Sequence, residues 1–168
     1  GPIILEIFAG HQDHLNAHLS IHASLLAAAR NAVPQVVDLG WFTGGGPTTA
    51  VISLKKSAAG QPTRAALAVM AAGNLIKQAI VVDDDIDVFD AQQVLWAVST
   101  RVRADEDVTV LKGLQGSLLD PSHAGFGTVQ GLVIDATWSL DGPRAPIARV
   151  PEDALSRYPL ESYQVREE

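Results

Sequence analysis

The chain contains no cysteine. That excludes disulfides, thiolate metal sites and cysteine nucleophiles together, while saying little about compartment. Basic side chains are scarce: 12 Lys and Arg stand against 19 Asp and Glu, a formal net charge of −7. Counterion release and a basic patch are therefore not on offer, and neither nucleic acid nor an anionic membrane face is an expected partner. No apolar run reaches the eighteen or so residues that a membrane-spanning helix needs. The opening does not read as a signal peptide, because its apolar stretch is short, contains Glu6 and lacks a basic leader. A cytoplasmic location is the expectation. Gly1-Pro2 has the form of a protease scar from a tag, and on that reading the natural boundary lies just after it.

What is present suits an ordinary globular core. At 168 residues and 17.7 kDa the chain has the length of one domain or two very small ones. Area scaling gives roughly 8,000 Å² folded against roughly 26,000 Å² extended, so about two-thirds of the surface can be buried without staples. With 47% hydrophobic and 18% charged residues, the chain is not a disordered tail.

Local patterns predict alternating strands and helices. Ile3–Phe8 is short and rich in β-branched residues and reads as a strand, followed by a turn at Gly10. Ser20–Asn31 is a good helix former, with Ser20 a possible N-cap and Pro34 setting its end. PQVVDLGWF leads into a second strand, GGGP at 44–47 is a turn, and TTAVISL at 48–54 is a third strand, expected antiparallel to the second. Pro62 sits in the first turn of a helix, PTRAALAVMAAGNLI, whose small apolar residues suit close packing on a sheet. AIVV at 79–82 is a buried-type strand ending in DDDID. Asp90, Gln93, Phe89 and Val94 then have the spacing of a capping box with a hydrophobic staple. The helix after Asp90 puts Val94, Leu95 and Val98 on one face, and VTVL at 108–111 is a short strand. Strand, acidic crossover, helix and strand are the grammar of an α/β domain, a mixed sheet with helices packed on it. Residues 1–168 read as a single domain, of which 116–168 is largely loop and extended tail with one apolar run at GLVID.

Three constellations invite chemistry. Asp83-Asp84-Asp85-Ile86-Asp87 has the DDxxD spacing of isoprenoid synthases, but those motifs lie on helices and this one leaves a strand. It also mimics the start of a calcium loop, yet Val88 replaces the turn glycine and Val94 the bidentate glutamate. Two readings remain: a structural one, in which acids at a strand end and before a helix satisfy free backbone donors and the helix dipole, and a contact to a cation or ligand. His14, His18 and His22 would share a helix face if the helix began early, and His11 precedes them. HLNAH lacks the glutamate of a zinc-protease helix, however, so surface or partner roles are favoured over metal. Gly44-Gly45-Gly46 lacks the lysine and hydroxyl of a phosphate loop. Lys55-Lys56, at a strand end and beside the helix start in AAGQPTR, could aim a cation at a phosphate or simply be solvated. No serine–histidine–acid set is legible.

Over most of its length the sequence resembles the carboxyl-terminal half of UbiD-family decarboxylases. The matching residues are Leu54-Lys55-Lys56, Val81 to Val88, Val94-Leu95-Trp96-Ala97, Thr100-Arg101 and Asp107. Further on come Leu119-Asp120, Ser122, Gly131 and Asp135-Ala136-Thr137. The opening, IILEIFAGHQDH, matches in character. The resemblance implies the fold of the UbiD C-terminal domain. It also implies reversible, non-oxidative decarboxylation of an unsaturated or aromatic acid with prenylated flavin mononucleotide, which accepts the charge left when carbon dioxide departs. The family's catalytic arginine and glutamates lie upstream of the matched part. So do the residues for its divalent metal, manganese, and for potassium. The resemblance therefore implies a partner, a larger UbiD-like chain, and homo- or hetero-oligomers. It assigns no catalytic or metal residue here. It gives Lys55 or Lys56 a place near the flavin phosphate, and Leu118 to Gly127 a mobile place near the substrate channel. Gln130 stands where the family has a lysine.

Two functions of different class follow as expectations. One is a subunit or domain completing a decarboxylase. The other is an assembly or regulatory module that kept the fold and contributes no reactive contact. A third possibility, free metal binding by His14, His18 and His22 or by the Asp83 cluster, requires a stoichiometric ion.

Overall fold

The computed structural model describes residues 11–41, 48–118, 120, 122–124, 127–144 and 151–158. The expected strand at Ile3–Phe8, the turn at Gly10 and the turn at 44–47 lie outside them. Among the described residues, helix α1 (His11–Ala32) is followed by strands β1 (Val36–Gly40) and β2 (Thr49–Leu54), then α2 (Gln61–Ala72) and β3 (Gln78–Asp83). Helix α3 (Ala91–Arg101), β4 (Val108–Gln115), β5 (Thr128–Ala136) and a short α4 (Glu152–Arg157) complete the order.

The five strands form one mixed sheet in the order β1-β2-β3-β5-β4. The central strands β2, β3 and β5 run parallel; β1 and β4 flank them antiparallel. The predicted α/β class and the antiparallel pairing of the second and third predicted strands are both found. Strand alternation divides the core between two faces. Ala50, Ile52, Leu54, Ala79, Val81 and Val133 face α1 and α2, meeting Leu25, Ala29, Ala65, Ala66 and Val69. Val51, Ile80, Val82 and Ala136 face α3, meeting Val94 and Ala97. Both faces of the central strands are thus covered, which is why they read as continuous apolar runs rather than alternating ones.

Several local expectations need correction. Ser20 is not a cap: α1 is already helical at His11, so Ser20 lies inside it. The helix after Pro62 stops at Ala72, because Gly73 turns extended there and its N–H closes on the Val69 carbonyl. Asp90 does cap α3, accepting from the Gln92 and Gln93 N–H groups at 2.9 and 3.3 Å. Gln93 does not complete the box, however. Its Oε1 accepts from the Asp87 N–H, while its Nε2 donates back to Asp90. Phe89 is half exposed and meets the Trp41 ring edge-on at 5.9 Å. Leu95 is 60% exposed, and the inward face of α3 is Val94, Ala97 and Arg101. The apolar run GLVID belongs to β5, a nine-residue strand paired on both sides within the sheet.

Candidate site at the carboxyl ends of the parallel strands

Because β2, β3 and β5 run parallel and in register, their carboxyl ends lie side by side. Lys55-Lys56, Asp83 and Thr137-Trp138 are therefore neighbours, although the sequence separates them widely. Such a rim is where open α/β sheets build ligand clefts. Here a cleft of about 360 Å³ is lined by Lys56, Gly60, Arg101, Arg103, Asp135 and Thr137, among others.

The rim rests on a buried ion network. Asp83 ends β3 with its side chain wholly buried, and Arg101, at the end of α3, reaches it with Nη1 at 2.7 Å. Arg101 also donates twice to Asp85, at 3.1 and 3.0 Å. Its guanidinium packs against the rings of Trp96 and Trp138, 5.3 and 4.8 Å from their centroids, a cation–π arrangement on two sides. The Trp138 N–H donates to Asp83 Oδ2 at 2.8 Å, and the Ser53 hydroxyl donates to the Asp83 carbonyl. Burial pushes the Asp83 carboxyl above its ordinary pKa, against the Trp138 hydrogen bond and the nearby Arg101 and Arg144 charges.

Of the two lysines singled out from the sequence, Lys56 points inward. Its Nζ donates to Thr137 Oγ1 at 2.9 Å and to the Trp138 carbonyl at 3.3 Å, and lies 3.6 Å from Asp135. Lys55 is exposed, and only its backbone N–H is engaged, by the Gln35 carbonyl. The remaining cation of the lining, Arg103, pairs with Glu106 and Asp107. The cleft is polar, and its three cations, Lys56, Arg101 and Arg103, are paired within this chain.

The acidic cluster resolves residue by residue. Asp83 and Asp85 serve Arg101, Asp87 accepts from the Phe89 N–H at 2.9 Å, and Asp84 is exposed. No group of three metal-ligating side chains occurs among the described residues. The expected early helix does place His14, His18 and His22 on α1, but the side chains of His14 and His18 lie outside the described ones. The His22 ring bonds to the Leu39 carbonyl at 2.8 Å and stacks edge-on with Trp41.

A second polar cluster, not anticipated from the sequence, lies at the other end of the sheet. Lys77 precedes β3, and its Nζ meets Asp120 at 2.7 Å and Ser122 Oγ at 2.7 Å. Ser122 donates to Asp120 through both N–H and hydroxyl, and the His123 ring bonds to the Asp120 carbonyl. Burial alone would raise the Asp120 carboxyl; the Lys77 and Ser122 hydrogen bonds outweigh it and hold it below its ordinary value. The signal was a lysine directly before a buried strand. Its partner sits 43 positions away, a pairing only the fold reveals. The cluster belongs to the β4–β5 connection, the 118–127 segment. Six-residue β3 (Gln78–Asp83) separates it from Lys56 by about 17 Å at strand rise. A single ligand touching both would have to span the sheet.

Comparison with known proteins places this geometry in a class. Residues 14–136 match the family described as the 3-octaprenyl-4-hydroxybenzoate carboxy-lyase C-terminal domain. The chain belongs to the UbiD family of decarboxylases and represents its C-terminal region. It is 35% identical over 130 residues to the anhydromevalonate phosphate decarboxylase of Methanothermobacter thermautotrophicus, covering 77% of this chain and 31% of that protein. It is 32% identical over 154 residues to the gallate decarboxylase of Lactiplantibacillus plantarum, covering 83% and 31%. Among solved structures, the UbiD-class enzyme HmfF of Pelotomaculum thermopropionicum in complex with FMN superimposes with a TM-score of 0.80. Identity to it is 34%, and the match covers 91% of this chain and 34% of that one. An evolved dimeric form of the same enzyme, in complex with prFMN, matches with a TM-score of 0.68 at 30% identity, over 89% and 31%. The chain thus spans about a third of the length of the relatives it matches. No described helix is long and apolar enough to cross a membrane.

Proposed function

We propose that this chain is the C-terminal domain, or a separate small subunit, of a reversible non-oxidative decarboxylase acting on an unsaturated or aromatic carboxylic acid. Family membership combined with a span of only a third of the relatives supports this reading. The catalytic arginine and glutamates come from the remaining two-thirds, as a larger partner chain or the rest of one polypeptide. Prenylated flavin, shared with that part, supplies the electron sink for the charge left by departing carbon dioxide. Manganese and potassium are assigned to that part, as the family resemblance implies. Lys55 or Lys56 contacts the flavin phosphate, and only one can face it from an extended strand end. Lys56 is on the cleft side but is engaged by Asp135 and Thr137; Lys55 is exposed and open to a ligand outside that cleft.

Native mass spectrometry of the protein purified untagged from its own source tests this. A complex of this chain with a larger chain and a flavin-sized ligand, or one longer flavin-bearing polypeptide, supports it. A bare homo-oligomer of this chain overturns it in favour of the second reading, a non-catalytic assembly or regulatory module. That reading is favoured by one observation: Lys56, Arg101 and Arg103 of the cleft are all paired within the chain.

A further inference from the structure

Residues 138–144 follow β5, and Ser139, Leu140 and Asp141 form one wall of the cleft. Both ends of this segment return to the same buried carboxylate. At the near end the Trp138 N–H donates to Asp83 Oδ2 at 2.8 Å, with the Trp138 ring held against Arg101. At the far end Arg144 Nη2 stands 3.7 Å from Asp83 Oδ1. The two attachments differ in kind. The first is a hydrogen bond to a wholly buried group, whereas Arg144 is half exposed and beyond bonding distance. Asp83 Oδ1 is itself buried with no hydrogen-bond partner. A buried carboxylate oxygen without a donor is penalised, and Arg144 needs to advance only about 0.8 Å to supply one.

We propose that residues 138–144 are a strap over the cleft with two positions, the looser one seen here and a closed one in which Arg144 hydrogen-bonds to Asp83 Oδ1. The Trp138 anchor is the hinge and Arg144 the catch. Closing moves Leu140 and Asp141, which line the cleft, and so changes its shape. Asp83 is then a positioning residue whose two oxygens hold the two ends of one segment. Arg101 fixes the carboxylate in place through Oδ2 and leaves Oδ1 to the catch. This inference does not depend on the decarboxylase reading.

Millisecond hydrogen–deuterium exchange on the full-length protein tests it, read at the hydrogen-bonded amides of the segment, Trp138 and Asp141. Arg144→Ala removes an exposed side chain and leaves the core intact. It should speed exchange at those amides about three- to fivefold, the scale of a half-exposed ion pair, with β3 and α3 unchanged. Asp83→Asn combined with Arg144→Ala should add nothing beyond Asp83→Asn alone, because one contact is lost in both. Unchanged exchange in Arg144→Ala, a rise spread equally over β3, or additive effects in the double variant would each overturn the strap.

Discussion

Arg101 and Asp83 meet at 2.7 Å with both side chains fully excluded from water, joining the last turn of α3 to the carboxyl end of β3. The sequence separates them by 18 positions, yet between them they organise the whole rim. Asp83 takes the Trp138 N–H, and Trp138 in turn offers its carbonyl to Lys56. Removing the two partners is not equivalent. Arg101→Ala strands a buried carboxylate and leaves a void between Trp96 and Trp138, so a loss of about 3–5 kcal/mol is expected. Asp83→Asn keeps an acceptor for Trp138, removes the buried charge and leaves Arg101 its two bonds to Asp85. Its cost should be clearly smaller. Urea unfolding of the two variants checks the order; equal losses would mean that the charges matter less than the packing.

The central sheet was legible because β2 and β3 are apolar on both faces, and the Asp90 cap because its bonds are local. The errors share a different cause. Ser20 as a helix start failed because a serine looks the same at a cap and on an exposed helix face. The shared face of Val94, Leu95 and Val98 fails at Leu95, which is exposed, while Arg101 occupies part of the inward face. A buried arginine is readable only from its partners, and these come from the end of β3 and the turn after it (Asp83, Asp85), from α3 (Trp96) and from the segment after β5 (Trp138). Lys56 against Lys55 is the same problem in small. Adjacent residues on an extended segment alternate sides, and only the position of Thr137 shows which side is the cleft.

Two glycines separate close backbone approach from close side-chain approach. A Cβ on Gly40 would stand 2.7 Å from the Val88 carbonyl oxygen and 2.8 Å from its Cγ2, so the loop after β3 would have to move. On Gly131 it would meet Met70 Cε at 2.8 Å, the free end of a flexible chain. Gly40→Ala is therefore expected to cost about 1–3 kcal/mol and Gly131→Ala less. Thermal unfolding of both variants decides this, and the reverse order would show that the β1 edge yields more readily than the face under α2.

The Lys77–Asp120 pair predicts an acid-side dependence. The Asp120 carboxyl is held below its ordinary value in the folded protein, so the unfolded chain binds its proton first as pH falls. The stabilisation is complete above the unfolded value, near 3.8, and is lost as pH drops through the lower folded value. Asp120→Asn should be less stable than the parent at neutral pH, with the gap shrinking below about pH 3.8. Parallel denaturation curves at pH 7 and pH 3 measure it. A gap that persists undiminished would place the contribution in the Ser122 hydrogen bonds rather than in the charge.

The adjacent lysines give the sharpest division between structure and ligand. Lys56 is nearly buried and bound to Thr137, Trp138 and Asp135, so Lys56→Ala unpairs several groups and should lose about 1.5–3 kcal/mol of stability. Lys55 is exposed, so Lys55→Ala should stay within about 0.5 kcal/mol of the parent. If Lys55 reaches the flavin phosphate in the complete enzyme, its loss should nevertheless weaken cofactor retention, read as flavin absorbance remaining after gel filtration. Stability and retention would then separate: one lysine for the fold, the other for the ligand. Full retention in Lys55→Ala, with a fold as stable as the parent, would leave Lys56 as the member of the pair that meets the cofactor.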